Sequence, residues 1–326
     1  MVDRDAGATL DHAWWRARIG DAVARRAPLT NVANAYRLIH GEGDACPSLI
    51  CDRYDRWLVV QLMSAGLESF RDVIIDVVDD LLHPDGILAR NDVGLRAKEH
   101  LPVAIELLRG EVPDEIEVHE HGIRFLAAPR FGQKTGAFLD QRENRVLIGD
   151  LARGRALDCF SYHGSFALHL ARRAESVIAL DVSASALERA ADNCARNGID
   201  NVELVEADTF DYLRDQASAG ARFDTIVLDP PAFAKTRASL TGALRGYKDI
   251  NLRAMRLLSR NGLLFTASCS FHLTKPLFLE MLHDAAADSG RRMALRAITG
   301  QPLDHPEVLT IPETGYLKGA LLEALD

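Results

Sequence analysis

From residue 155 onward, short continuous apolar runs alternate with amphipathic stretches. The runs 155–160, 176–181, 202–207, 223–229 and 262–268 have the length and composition of buried strands, with weaker ones at 293–298 and 316–323. Between them, residues 165–174, 184–197, 209–216, 243–259 and 275–287 place apolar side chains at helical spacing. This alternation predicts an α/β fold with a mostly parallel sheet covered on both faces. Upstream the rhythm differs. An amphipathic segment at 11–27 carries Trp14, Trp15, Ile19 and Val23 on one helical face and is stopped by Pro28. Two β-rich runs at 48–52 and 57–63, a helix at 68–83, a strand at 86–90 and a hairpin at 115–128 turning at His121-Gly122 follow. The expected organisation is an N-terminal helical segment (1–40), a small α+β domain (41–128) and a larger α/β domain (129–326).

Composition narrows the class. The 326 residues are 48% apolar and 26% charged, the balance of a globular chain. No apolar run approaches the roughly 18 residues that cross a bilayer, and the polar, acidic start is unlike a signal peptide, so a cytoplasmic, non-membrane protein is expected. Five cysteines (Cys46, Cys51, Cys159, Cys194, Cys269), without paired CxxC motifs, are expected to be free thiols and to hold no metal. The net charge of -9 argues against simple coating of nucleic acid, yet the charge is segregated. Residues 72–120 hold 13 acids and 4 bases, whereas 232–260 hold seven bases (Lys235, Arg237, Arg245, Lys248, Arg253, Arg256, Arg260) and one acid, Asp249. Residues 122–155 carry seven bases against three acids. Such a run is either a solvated helix face or a track for phosphates.

Parallel α/β sheets bind ligands beyond the carboxyl ends of their strands. The first strand of the larger domain ends Asp158-Cys159-Phe160-Ser161-Tyr162-His163-Gly164 and leads directly into a helix, aiming backbone N–H groups at a ligand. The dinucleotide fingerprint GxGxxG is absent. The second strand ends in Asp181, 23 residues after Asp158, where an acid can accept both hydroxyl protons of a ribose; the third is followed by Asp208, placed to meet an adenine amino group. Each acid alone could be a helix cap, but three at consecutive strand ends point to an adenosine ligand. The fourth strand ends Asp229-Pro230-Pro231-Ala232-Phe233, and the two prolines stop the chain rigidly with Asp229 facing the cleft. The fifth ends Ser268-Cys269-Ser270, which brings one thiol to the functional edge. The other four cysteines read as packing, and His163 either lines the cofactor loop or faces solvent.

These motifs, with Tyr36 to Asp44, Gly132 to Arg145, and Asp304-His305-Pro306 through Pro312-Glu313-Thr314, resemble the class I S-adenosylmethionine-dependent RNA methyltransferases, specifically the bacterial 23S rRNA 5-methylcytosine methyltransferases of the RlmI type. The resemblance implies a Rossmann-like seven-stranded class I methyltransferase domain, its last strand antiparallel, preceded by a small α+β domain that helps grip RNA. It implies S-adenosyl-L-methionine as cofactor, with Phe138 and Gln141 at its methionine end, Asp158, Phe160, Ser161 and Gly164 around its amino acid portion, Asp181 at the ribose and Asp208 at the adenine. Asp229 would contact both cofactor and target base, and Cys269 would be the nucleophile. The partner implied is RNA, 23S rRNA in particular, and a homodimer is left open. The family begins with a further RNA-binding PUA domain for which this chain has no room, so RNA is expected to be gripped by Lys134, Arg142, Arg145, Pro230, Phe233, Lys235, Arg245, Lys248 and Arg253, with Phe233 or Tyr247 as a stacking face for the base. His163, Ser165 and Phe271 depart from the residues common in the family.

Cytosine carbon 5 is a weak nucleophile. Attack of a thiolate at carbon 6 makes the ring an enamine whose carbon 5 can take a methyl group, which is the chemistry that Cys269 and Asp229 would serve. Two alternatives stand beside it: methylation of an exocyclic base nitrogen, for which no thiol is needed, and a non-catalytic RNA-binding module.

Overall fold

The computed structural model describes every residue except 1–4, 6 and 235, so Lys235 lies outside the described residues. The chain divides into two compact units, Met1–Arg142 with Pro302–Gly315, and Glu143–Gln301 with Tyr316–Asp326.

In the first unit α1 (His12–Arg25) starts at Asp11, whose carboxylate accepts the Trp14 N–H. It is followed by β1 (Ala35–His40), β2 (Leu49–Tyr54), β3 (Trp57–Leu62), the short α2 (Ala65–Glu68), α3 (Arg71–Leu82), β4 (Gly86–Arg90), α4 (Gly94–Lys98) and β5 (Ile105–Gly110). These strands form a sheet in the order β1-β2-β3-β4-β5, while β6 (Ile116–Glu120) and β7 (Ile123–Ala127) pair as a hairpin. Trp15 and Ile19 of α1 and Ile74 and Val78 of α3 share one core with Leu38 of β1 and Val60 of β3. Residues 1–40 are therefore no separate helical segment: β1 pairs with β2, and α1 buries its apolar face in the core shared with that sheet. The helix expected at 68–83 is α3, which begins at Arg71 and ends at Leu82, after the separate short α2 that ends at Glu68.

The boundary with the second unit falls at Arg142, and Pro302–Gly315 returns to the first unit, both unlike the expected single domain at 129–326. Buried polar bonds explain the return. Asp304, fully buried, accepts the Arg37 N–H at 2.8 Å and the Arg142 guanidinium at 2.8 and 3.1 Å, while the Arg26 guanidinium donates to the Asp304 carbonyl at 2.8 Å.

The second unit comprises α5 (Arg142–Leu151, its first residue counted with the first unit), β8 (Arg155–Cys159), α6 (Ser165–Ala171), β9 (Ser176–Asp181), α7 (Ala184–Asn197), β10 (Val202–Glu206), α8 (Thr209–Ser218), β11 (Phe223–Leu228), α9 (Leu240–Leu257), β12 (Leu258–Ser268), α10 (Lys275–Ser289), β13 (Met293–Thr299) and β14 (Lys318–Ala324). The seven strands run in the order β10-β9-β8-β11-β12-β14-β13. Only β14 is antiparallel to its neighbours. Alternate strand residues feed opposite faces, as the pleat requires: Leu157, Ile226 and Leu264 pack with Ile250 of α9 and Phe278 of α10, while Ala156, Val227 and Phe265 pack with Ile148 of α5 and Phe166 of α6. The chain leaves β8 toward β9 and β10 and later resumes at β11 on the other side of β8, so the topological switch lies between β8 and β11.

Candidate active site

At that switch, Asp158 near the end of β8 stands in register with Val227 of β11, one position before the two strands finish. Its carboxylate is fully buried: Oδ2 accepts the Ser161 hydroxyl at 2.7 Å and the Ala167 N–H at 2.9 Å, whereas Oδ1 has no partner among the described residues. Burial pushes this carboxyl up to about 7, and the neighbouring Asp229 and Asp181 add to the rise. The following loop uses left-handed backbone at Phe160, Tyr162 and Gly164 (φ 62, 51 and 78°). At Gly164 a Cβ would come within 3.1 Å of the Ala190 Cβ, so glycine meets both constraints. His163 stacks on Tyr162 with ring centroids 3.5 Å apart, and burial lowers its pKa to about 3, helped by Arg189, which leaves a neutral imidazole.

Asp181 closes β9 half-buried. Its Oδ2 accepts the Tyr162 N–H at 2.8 Å and its Oδ1 the Ser183 N–H at 3.0 Å. Helix α7 is capped instead by Ser183, so Asp181 is not spent as a cap. Asp208, by contrast, is the N-cap of α8, its Oδ1 accepting from Phe210 and Asp211.

On the other side of the switch Asp229 is half-buried and Pro230 buried directly after β11. Phe233 sits half-buried among Phe160, Phe210 and Tyr247, with centroids at 6.3, 6.0 and 4.6 Å. Cys269 follows the last residue of β12. It is half-buried, whereas Cys46, Cys51, Cys159 and Cys194 are buried and their thiols are held above the ordinary range by that burial. The flanking Ser268 and Ser270 are fully buried and bonded to the Tyr247 hydroxyl, both at 2.9 Å. Tyr247 is thus no stacking face for a base: its ring is wholly inside the core.

The expected phosphate-gripping residues separate. Arg142 is fully buried against Asp304 and Arg145 is only 2% exposed, so neither can meet a solvated backbone. Lys134 pairs with Asp140 at 2.5 Å and lies 4.5 Å from the centroid of the Phe138 ring. Phe138, half-buried, and Gln141, buried, are also in the first unit. In the second unit Lys248 pairs with Asp288 at 2.7 Å and Arg253 with Asp249 at 2.9 Å, while Arg245 is exposed and ion-pairs with nothing described. The basic run is also not one patch. Helix α9 has 18 residues, about 27 Å at 1.5 Å per residue, and leads back from the strand ends to the start of β12, which carries Arg253, Arg256 and Arg260 away from the site.

The sequence reading passed over Tyr162, the Tyr247 node and Lys318, a buried cation whose Nζ donates to the Ser270 and Tyr316 carbonyls at 2.7 Å each. A lysine inside the otherwise apolar run 317–322 is the available signal for the last. Among the described residues no group of three or more His, Cys, Asp or Glu could hold a metal ion, and no helix is long and apolar enough to cross a membrane.

Residues 36–308 match the family described as S-adenosylmethionine-dependent methyltransferase, and the seven-stranded sheet is of the Rossmann-like methyltransferase kind. The chain is 41% identical over 322 residues to ribosomal RNA large subunit methyltransferase I of Shewanella amazonensis, covering 97% of this chain and 81% of that protein. The namesake from Tolumonas auensis is also 41% identical, over 324 residues, with 97% and 82% covered. A solved SAM-dependent methyltransferase from Streptococcus mutans shares the fold at a TM-score of 0.84 and 21% identity, covering 97% of this chain and 82% of that one. The chain belongs to the RlmI family of S-adenosylmethionine-dependent ribosomal RNA large subunit methyltransferases.

Proposed function

We propose that this enzyme methylates carbon 5 of a cytosine in large-subunit rRNA through a Cys269 thiolate adduct. The observation that carries this reading is the exposure of a single class of thiol. Of five free cysteines, four are buried and Cys269 alone opens at the strand ends, flanked by the loop that follows Asp229.

The residues present fit the cofactor. The buried Asp158 Oδ1, without a partner among the described residues, suits an ammonium group; Asp181 keeps a lone pair on each oxygen for ribose hydroxyls; and Asp208, exposed after β10, caps α8 through Oδ1 and has Oδ2 as a further acceptor for an amino group. Phe160, Ser161 and Gly164 shape the loop around the amino acid portion. When bound, S-adenosylmethionine supplies an electrophilic methyl group.

The chain's own residues do the rest. Cys269, as thiolate, forms a bond to carbon 6 of the cytosine, and the ring's π electrons shift to make carbon 5 nucleophilic. Asp229, as a carboxylic acid, donates to the ring nitrogen and accepts from the amino group, and so stabilises the negative charge that collects on the ring. After carbon 5 takes the methyl group, its proton leaves to a base, the electron pair of that carbon–hydrogen bond restores the double bond between carbons 5 and 6, and the carbon–sulfur pair departs with the thiolate. The base must leave its stack to reach Asp229, and the half-buried Phe233 is the apolar face offered to it, whereas Pro230 is buried. RNA containing 5-fluorocytidine should give a denaturation-stable complex with the parent enzyme, because fluorine cannot leave as a proton. Cys269→Ala should form none and methylate nothing. Methylation by that variant would replace this reading with transfer to a base nitrogen.

A further inference from the structure

Cys269 lies between two serines whose hydroxyls close a ring of hydrogen bonds. The Ser270 N–H donates to Ser268 Oγ at 3.2 Å, the Ser268 hydroxyl donates to Tyr247 Oη at 2.9 Å, and Tyr247 in turn bonds Ser270 Oγ at 2.9 Å. The donor order follows from counting. A phenol has one proton and two lone pairs, and Ser268 and the Phe233 N–H, at 3.4 Å, fill the acceptor side of Tyr247, which leaves its proton for Ser270. Ser270 Oγ also accepts the Ala234 N–H at 3.1 Å. All three side chains are fully buried, so no water competes for these bonds.

Two backbone N–H groups of this ring belong to residues 233 and 234, which continue the Asp229-Pro230-Pro231 loop. From the other side Lys318 Nζ holds the Ser270 carbonyl at 2.7 Å. The thiol loop and the base-contact loop therefore share one anchor, a hydroxyl on α9.

We propose that Tyr247 is a positioning residue for methyl transfer, setting the Cys269 sulfur and the Asp229 loop in one register without itself touching substrate. This rests on Cys269 as the nucleophile. Tyr247→Phe keeps the ring packed in the core and removes only the hydroxyl, so the two serines lose their shared partner and two backbone N–H groups lose an anchor or its support.

The test uses the full chain with a large-subunit rRNA transcript, and with the same transcript carrying 5-fluorocytidine. Tyr247→Phe should bind S-adenosylmethionine as the parent does and keep its KM for RNA within about threefold. Its single-turnover methylation rate and its rate of adduct formation should each fall at least tenfold. The pH profile of Cys269 alkylation by iodoacetamide should shift, which a purely structural role would not cause. Ser270→Ala should reproduce these losses, and the double variant should be no slower than the slower single one. If Tyr247→Phe fails to fold, Ser270→Ala carries the same comparison. Parent-like adduct and methylation rates in the folded variants overturn the positioning role. Absence of an adduct in the parent instead overturns the Cys269 chemistry, and the role of Tyr247 with it.

Discussion

Asp181 accepts the backbone N–H of Tyr162 at 2.8 Å, which ties the end of β9 to the loop that leaves β8. One half-buried carboxylate thus fixes a left-handed residue of that loop and keeps a lone pair on each oxygen beyond the bonds it accepts. Asp181→Ala is expected to weaken S-adenosylmethionine binding by about 1.5–3 kcal/mol, the cost of losing hydrogen bonds to a charged acceptor. Calorimetry measures it directly. An unchanged affinity would remove the ribose role of Asp181.

The Asp158 carboxyl is raised to about 7 by burial and by nearby Asp229 and Asp181, and on the proposed ammonium contact cofactor binding is expected to depend on pH. An ammonium group on Oδ1 needs the carboxylate. Affinity should therefore fall about tenfold for each pH unit below 7 and level off above it. The sign for folding is opposite. The folded protein holds this proton more tightly than the unfolded chain, so the group's contribution to apo stability declines as pH rises from the ordinary value of 3.8 through 7. Thermal stabilisation by the cofactor should accordingly grow with pH, and Asp158→Asn should flatten that growth. A cofactor affinity independent of pH between 5 and 8 in the parent would remove the ammonium contact.

The strand-helix alternation after residue 155 made the second unit legible, because buried parallel strands are continuous apolar runs and β9, α7 and the Asp229-Pro230-Pro231 stop stand where the pattern places them. What escaped was long-range and polar. Nothing local to residues 302–315 says that Asp304 would pull them back onto Arg37 and Arg142, since such pairing depends on partners more than 150 residues away. Arg142 looked like a phosphate ligand for the same reason: in sequence a buried and a solvated arginine are alike. Tyr247 was misread as a base platform because its aromatic ring was visible and the two serines that occupy its hydroxyl were not.

Breaking the Arg142–Asp304 pair should destabilise the first unit strongly. Both side chains are fully buried at 2.8 Å, and removing Asp304 takes from the buried Arg142 guanidinium the carboxylate it bonds. Asp304→Ala is expected to cost about 3–5 kcal/mol, measured by denaturant unfolding. The pair and its hydrogen bonds hold the Asp304 carboxyl well below the ordinary carboxylate range despite burial, with His305 and Arg142 as partners, and the Asp44 and Asp52 carboxyls are also lowered by Arg26 and Arg37. This stability is fully present above the ordinary aspartate value near 3.8 and is lost as pH falls through the lower folded values. Acid unfolding of Asp304→Asn should show a shallower dependence on pH than the parent.

RNA affinity should separate the cations in and before α9 that no described carboxylate holds from those that one does. Arg237, in the turn before the helix, and Arg245, in its first half, are exposed near the strand ends and ion-pair with nothing described, whereas Lys248 and Arg253 already face Asp288 and Asp249. A cation held by a carboxylate releases no counterion when a phosphate arrives unless that pair is first broken. Each phosphate contact to single-stranded RNA contributes about -0.7 to the slope of log affinity against log salt, so Arg237→Ala with Arg245→Ala should flatten the slope by about 1.4. Lys248→Ala with Arg253→Ala should leave the slope in place and lower thermal stability instead, through loss of the α9–α10 pair. Cofactor affinity should be the same in all three proteins. Filter binding across a salt series reads the outcome, and an equal change of slope in both double variants would show that the whole length of α9 meets RNA.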